Sequence, residues 1–191
     1  MTSNVKAAFF TVTFGLAGAA TVRAQGFISP FAAVDFGADT GCLNLVVCAD
    51  RYLNAGVGVG RIGRSYGVEE EFAFARDFFG KGPNLSSSVL TLMTNAILSR
   101  HIGRWSPYAS GGLGVMRTYI QFTEASYYAT DRTTGAWDLV GGATTYFSRR
   151  LGVRADGRYF RSIRDVRLSG FTVSDSKMGF GRASAALMVR F

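Results

Sequence analysis

Apolar and polar residues alternate along the chain in eight separate segments. In "LGVRADGRYFR" at 151–161, Val153, Ala155 and Tyr159 share one face, whereas Arg154 and Arg158 share the other. Such a period of two residues predicts a β-strand with one apolar and one polar face. The predicted strands are 27–36, 53–62, 66–76, 88–99, 106–117, 136–147, 151–162 and 181–191.

In the seventh predicted strand the charged residues Arg154, Asp156 and Arg158 all lie on the polar face. In the third strand, Glu69 and Glu71 oppose Val68 and Phe72. The polar face also carries glycines such as Gly58, which suits a narrow interior crowded by long side chains. The apolar face then points outward and requires lipid, which is the inversion typical of transmembrane β-barrels. In the alternative, a soluble barrel of the lipocalin type, the apolar face points inward.

The links between the predicted strands differ in length at the two ends. The links 37–52, 77–87, 118–135 and 163–180 are long and polar, whereas "GRS", "RHIGRW" and "SRR" are short. Short turns at one end and long loops at the other are typical of outer-membrane barrels. The pattern therefore predicts an all-β fold, an eight-stranded antiparallel up-and-down transmembrane β-barrel with short periplasmic turns and longer extracellular loops.

The first 24 residues have the layout of a cleaved secretory signal peptide. Lys6 precedes an uncharged, mostly apolar run over 7–22, and Val22-Arg23-Ala24 forms a small-residue cleavage site. We therefore expect a signal peptide at 1–24 and one barrel domain at 25–191. Removing Lys6 and Arg23 lowers the formal net charge from +8 to +6. We expect no nucleic-acid partner, because the chain is exported and its arginines occur at both ends of the predicted barrel.

Two cysteines, Cys42 and Cys48, lie close together in the first long link. In an exported protein such a pair most simply forms a disulfide. Closing so short a loop would stabilise the folded state by about 2 kcal/mol. A metal site is the weaker alternative, because the only histidine, His101, lies far away in sequence.

The chain from Gly26 to Phe191 resembles the small OmpA/OmpX-like outer-membrane β-barrels. The resemblance rests on "SPYASGGLGV" at 106–115, "YGVEEEFAFAR" at 66–76 and the terminal "ASAALMVRF". It implies an outer-membrane location in a Gram-negative-type bacterium. It also implies that Leu187, Val189 and Phe191, in a last strand that ends in Phe, form the signal read by the barrel-assembly machinery.

The predicted strands direct a set of charged residues into the lumen. Eight strands enclose only enough room for side chains to fill, so opposite charges there should form a hydrogen-bonded network. Two interpretations stay open: a polar core that replaces a hydrophobic one, and a narrow, gated ion path. The residues are Asp35, Glu69, Glu71, Asp138, Arg154, Asp156, Arg158 and Arg182.

Four arginines are predicted to face outward where strands leave the apolar band at the loop side: Arg51, Arg76, Arg117 and Arg161. Guanidinium groups can bind phosphates through two hydrogen bonds, so these residues are a candidate site for lipopolysaccharide. The alternative is a solvated rim without a specific lipid partner.

The sequence contains no pattern that indicates catalysis or a cofactor. We expect neither, and we expect a monomer whose partners are outer-membrane lipid and lipopolysaccharide. Its predicted role is that of a closed barrel whose extracellular loops serve a structural or adhesive function towards an unidentified ligand. The alternative is a narrow channel or transporter for small solutes or apolar molecules.

Overall fold

The computed structural model describes residues 24–37, 51–76, 85–122, 128–163 and 179–191. The predicted signal peptide 1–24, apart from Ala24, and the predicted disulfide Cys42–Cys48 lie outside these residues. The strands are β1 (Gln25–Phe36), β2 (Arg51–Ile62), β3 (Tyr66–Arg76), β4 (Leu85–Ser99), β5 (Trp105–Phe122), β6 (Tyr128–Tyr146), β7 (Leu151–Ser162) and β8 (Gly179–Arg190).

Each strand pairs antiparallel with its neighbours in sequence, and β8 returns to pair with β1. At this seam Asp35 lies opposite Arg182, and the Phe191 N–H donates to the Gly26 carbonyl at 2.9 Å. A Cβ atom at Gly26 would collide with the Phe191 ring, so glycine lets the terminal ring lie over β1. The predicted closed eight-stranded barrel is confirmed.

No helix in the described part of the chain is long and apolar enough to cross a membrane.

The two ends of the barrel differ as predicted in the length of most links. The links 63–65, 100–104 and 147–150 define what we call the turn end, and the links 37–50, 77–84, 123–127 and 163–178 define the loop end. At the turn end Gly63 N–H donates to the Tyr66 carbonyl at 2.8 Å, and Ile102 and Trp105 exchange backbone hydrogen bonds at 2.8 and 3.0 Å.

The prediction of a long link at 118–135 was wrong. β5 continues to Phe122 and β6 begins at Tyr128, and the two strands are paired as far as these two residues. The predicted strands end where the alternation of apolar residues stops. Pairing continues because the hairpin supplies its own backbone hydrogen bonds, and the extension is rich in Thr and Tyr, which favour strands.

The two faces of the wall carry opposite kinds of side chain. Outward residues such as Leu113 and Leu139 are 65% and 58% exposed, whereas the inward Glu69 and Arg182 are each 2% exposed. The apolar face therefore points out and the polar face points in, as the alternation predicts.

Candidate functional site

All eight charged residues predicted for the lumen lie inside the barrel, and their side chains contact one another. They come from β1, β3, β6, β7 and β8, so the network crosses the lumen and ties opposite walls together. Five carboxyl groups meet three guanidinium groups, which gives the network a formal excess of two negative charges when every group is ionised.

The larger part of the network is centred on Glu71. Its carboxylate accepts hydrogen bonds from Arg158 through one oxygen and from Arg182 at 3.5 Å through the other. Arg182 also binds Asp35 through two hydrogen bonds at 2.7 and 3.2 Å, and Arg158 donates to Asp138 at 2.5 Å. Every guanidinium here has a carboxylate partner, which buried charges require.

The smaller part of the network is centred on Arg154. Its guanidinium donates to Glu69 at 2.7 Å, to Asp156 at 3.0 Å and to the Tyr108 hydroxyl at 2.5 Å. Tyr108 in turn donates to Asp156 at 2.6 Å, and the Ser184 hydroxyl donates to the other Asp156 oxygen at 2.7 Å. The hydroxyl groups of Tyr108 and Ser184 thus provide further hydrogen bonds to the ion pair of Arg154 and Asp156.

Apolar layers cover the charged layer on both sides. Towards the loop end the layer contains Tyr52, Ala75, Val89, Met93, Met116, Ala136, Phe160 and Phe180. Towards the turn end it contains Phe27, Ile97, Tyr108, Val140 and Met188, with Ile62 and Tyr146 packed against it. The Phe160 and Phe180 rings stack with centroids 4.7 Å apart, and the Arg182 guanidinium lies 4.7 Å from the Phe160 centroid. Charged and apolar side chains therefore fill the centre of the lumen, and a small cleft opens at the turn end between residues that include Phe27, Tyr108 and Arg154.

Glycines on the luminal face give the long side chains their space. A Cβ atom at Gly58 would collide with the Glu69 carboxylate and lie 2.6 Å from the Ser29 hydroxyl oxygen. A Cβ atom at Gly112 would collide with the Asn95 amide. The glycine-containing stretch "GVGVGRIG" is thus a barrel wall whose inward glycines accommodate the polar core.

One wall of the lumen carries polar atoms that lack a hydrogen-bond partner among the described residues. They include Glu69 Oε2, both amide atoms of Asn95 and Asp138 Oδ1. Glu69 lies opposite Asn95, Asn95 opposite Gly112 and Gly112 opposite Asp138, so these atoms belong to one row across β3–β6. Buried polar atoms of this kind usually bind water.

The three predicted rim arginines whose side chains the structure describes do not form one cluster. Arg76, Arg117 and Arg161 are exposed on the outward face, and the side chain of Arg51 lies outside the described part. One strand separates Arg76 on β3 from Arg117 on β5, which corresponds to about 10 Å. Arg161 lies opposite Trp137 on β6.

His101 is exposed at the turn end, where its Nδ1 and the Ser106 hydroxyl form a hydrogen bond of 2.8 Å. In the described part of the chain, no group of three or more His, Cys, Asp or Glu side chains could hold a metal ion.

Sequence reasoning did not identify the uncharged members of the network. Four of them occupy inward positions of the same alternation as the charged residues: Tyr108, Ser184, Ser29 and Asn54. The Asn54 amide donates to Asp35 at 2.6 Å. The alternation of inward and outward positions was sufficient to place them in the lumen. Their role as hydrogen-bond partners depends on contacts across the lumen.

Comparison with solved structures finds small outer-membrane barrels. Neisserial surface protein A aligns with a TM-score of 0.65 and 14% identity, over 87% of this chain and 97% of its own. Ail, the attachment invasion locus protein of Yersinia pestis, aligns with a TM-score of 0.54 and 15% identity, over 88% and 99%. The N-terminal β-barrel domain of OprF from Pseudomonas aeruginosa aligns with a TM-score of 0.50 and 14% identity, over 88% and 100%.

No protein-family model and no curated protein sequence matches the chain. The likeness is therefore one of architecture. It shows that this chain has the fold of the small eight-stranded outer-membrane β-barrels, consistent with its resemblance to the OmpA/OmpX-like proteins.

Proposed function

We propose that the protein is an outer-membrane barrel with a closed lumen, and that it acts through the surface at its loop end in a structural or adhesive role. The observation that carries this proposal is the layered lumen. Ion pairs fill its centre, and apolar layers cover them on both sides. A filled lumen leaves the loops and the outward wall as the surfaces available to partners.

The location follows from the wall and from the fold. An outward apolar face requires lipid, and a solved barrel with this fold is a major outer membrane protein from Thermus thermophilus. The chain then leaves the cytoplasm through its signal segment at 1–24. Leu187 in β8 is 44% exposed, and Phe191, directly after β8, is 77% exposed. Together with Val189 they would present the terminal pattern to the assembly machinery.

Single-channel conductance of the refolded mature chain in a planar bilayer tests the closed lumen. A difference in gel mobility between boiled and unboiled samples first establishes that the barrel is folded. We expect no discrete conductance steps. Reproducible steps from folded protein would contradict the proposal.

A second candidate function is a narrow path for cations. The row formed by Glu69, Asn95 and Asp138 favours it, because its unpartnered polar atoms would bind water and the network carries excess negative charge. This function predicts small steps that are selective for potassium over chloride. Glu69→Gln should then reduce that selectivity.

The rim arginines are the site that we propose for lipopolysaccharide. Arg76, Arg117 and Arg161 are exposed on the outward face near the loop end, where guanidinium groups would meet phosphates of the outer leaflet. Arg51 completes the set by its position at the start of β2. Ail, which shares this fold, has been solved with the heparin analogue sucrose octasulfate, a polyanionic sugar.

Co-purification tests this site. The variant Arg51→Gln, Arg76→Gln, Arg117→Gln and Arg161→Gln should retain less lipopolysaccharide per folded barrel than the wild type. A matched control replaces four arginines at the other end, Arg64, Arg100, Arg149 and Arg150, by Gln and should retain the wild-type amount. Equal loss in both variants would mean that total charge, not the rim, holds the lipid.

A further inference from the structure

The turn end carries a set of exposed arginines without acidic neighbours. We call Arg64, Arg100, Arg104, Arg149 and Arg150 the basic collar, and all five are exposed. No Asp or Glu occurs at 24–28, 60–68, 97–108, 144–153 or 187–191. The links at the loop end differ, because Asp39, Asp77 and Asp165 occur there beside Lys81 and Arg164. Among charged side chains, those at the turn end are thus of one sign.

The turns hold these arginines in defined positions. Gly103 adopts a φ of 60°, which closes the turn before Arg104. In the third turn the Ser148 hydroxyl accepts hydrogen bonds from the Arg150 and Leu151 N–H groups at 3.2 and 2.9 Å. Each turn therefore orders its backbone internally, and the collar arginines are exposed to a ligand.

Exposed aromatic residues lie beside the basic collar. Tyr66, Trp105 and Phe147 are 75%, 59% and 65% exposed, and each lies within two residues of a collar arginine. Aromatic side chains of barrels mark the boundary between hydrocarbon and head groups. The arginines that adjoin them therefore lie at the depth of lipid phosphates, whereas a site for a water-soluble acidic partner would extend beyond this boundary.

We propose that the basic collar binds the phosphodiester head groups of anionic phospholipids in the leaflet at the turn end. The ligand class follows from charge of one sign, guanidinium chemistry and the adjoining aromatic belt. This site is separate from the lipopolysaccharide site, which lies at the other end of the barrel. The inference rests on the membrane location proposed above.

The two tryptophans of the chain provide a test. Trp105 lies at the turn end and Trp137 near the loop end of the wall, so Trp137→Phe leaves one reporter beside the collar. The protein is folded into phosphatidylcholine vesicles that contain the same mole fraction of either chain-brominated phosphatidylglycerol or chain-brominated phosphatidylcholine. We expect the phosphatidylglycerol to quench Trp105 about twofold more strongly, because anionic lipid accumulates at the collar.

A matched pair of variants localises the effect. Replacing Arg100, Arg104, Arg149 and Arg150 by Gln should bring the quenching ratio of Trp105 close to one. Replacing Arg76, Arg117 and Arg161 by Gln should leave the ratio unchanged. Raising the ionic strength should lower the ratio in the Trp137→Phe protein itself, which provides a readout that does not depend on folding of the collar variant.

The experiment distinguishes a failure of the proposed lipid site from a failure of the proposed membrane location. Strong but equal quenching by both brominated lipids would overturn the lipid site and leave the membrane location intact. Absence of quenching by either lipid in the wild-type protein, which keeps both Trp105 and Trp137, would contradict the membrane location itself. A ratio that survives high salt and the collar substitutions would also overturn the proposal.

Discussion

Glu70 and Glu71 are neighbours in β3 but lie on opposite faces of the wall. Glu71 is 4% exposed and contacts both Arg158 and Arg182 inside the lumen. Glu70 is exposed on the outward face, where the Thr94 hydroxyl donates to it at 2.8 Å. The comparison teaches that the barrel accommodates charge where opposite strands can supply guanidinium partners, and that its outward wall offers only weak compensation.

The largest expected effect comes from removing a luminal carboxylate. Asp35→Ala leaves Arg182 without its bidentate partner and removes the acceptor of the Asn54 amide. Breaking a buried ion pair costs about 3–5 kcal/mol, and Arg182 keeps one longer contact with Glu71 at 3.5 Å, so the free energy of unfolding should fall by about 3 kcal/mol. Urea titration of barrels folded into vesicles measures it. A loss below about 1 kcal/mol would indicate that water already solvates Arg182.

Two glycines provide an intermediate effect with an internal control. Gly58→Ala places a methyl group against Glu69 and Ser29, whereas a Cβ atom at Gly157 on the outward face of β7 meets no atom within 4 Å. Overpacking at Gly58 should reduce stability by about 1–3 kcal/mol. Gly157→Ala should be neutral or stabilise by up to about 1 kcal/mol. Equal changes in the free energy of unfolding for the two variants in the same urea titration would contradict the claim that the luminal face is tightly packed and the outward face is not.

The smallest expected effect is a gain in stability at Glu70. This residue is four positions from Tyr66, about 10 Å along the barrel axis, and lies between the outward Val68 and Phe72. Glu70→Leu should raise the free energy of unfolding by about 1 kcal/mol, because a carboxylate on the lipid face is costly. Glu70→Gln should give a smaller gain. Destabilisation by Glu70→Leu would show that Glu70 has a stabilising partner in the folded barrel.

The sequence predicted the strands and the inward charges because period-two alternation is a local property. Arg154 and Asp156 could be assigned to the lumen from β7 alone. The pairing of Arg154 with Glu69 could not, because these residues are 85 positions apart and meet only through the register of the closed barrel.

The apolar layers were not predicted for a related reason. Phe27 and Phe160 occupy positions of the polar, inward face and lie near strand ends. A single apolar residue there does not disturb the alternation. Only the stacking of such residues from several strands produces a layer. The extended β5–β6 hairpin was missed because its outer part lacks the apolar face by which the strands were recognised.

A double-mutant cycle between Glu71 and Arg158 tests most directly whether the luminal charges form a dry core. Glu71→Gln, Arg158→Met and the double variant are unfolded in urea from the same vesicles. If the pair is buried between apolar layers, the coupling energy should be about 2 kcal/mol or more. A coupling energy close to zero would show that water screens the pair, and would contradict a closed lumen.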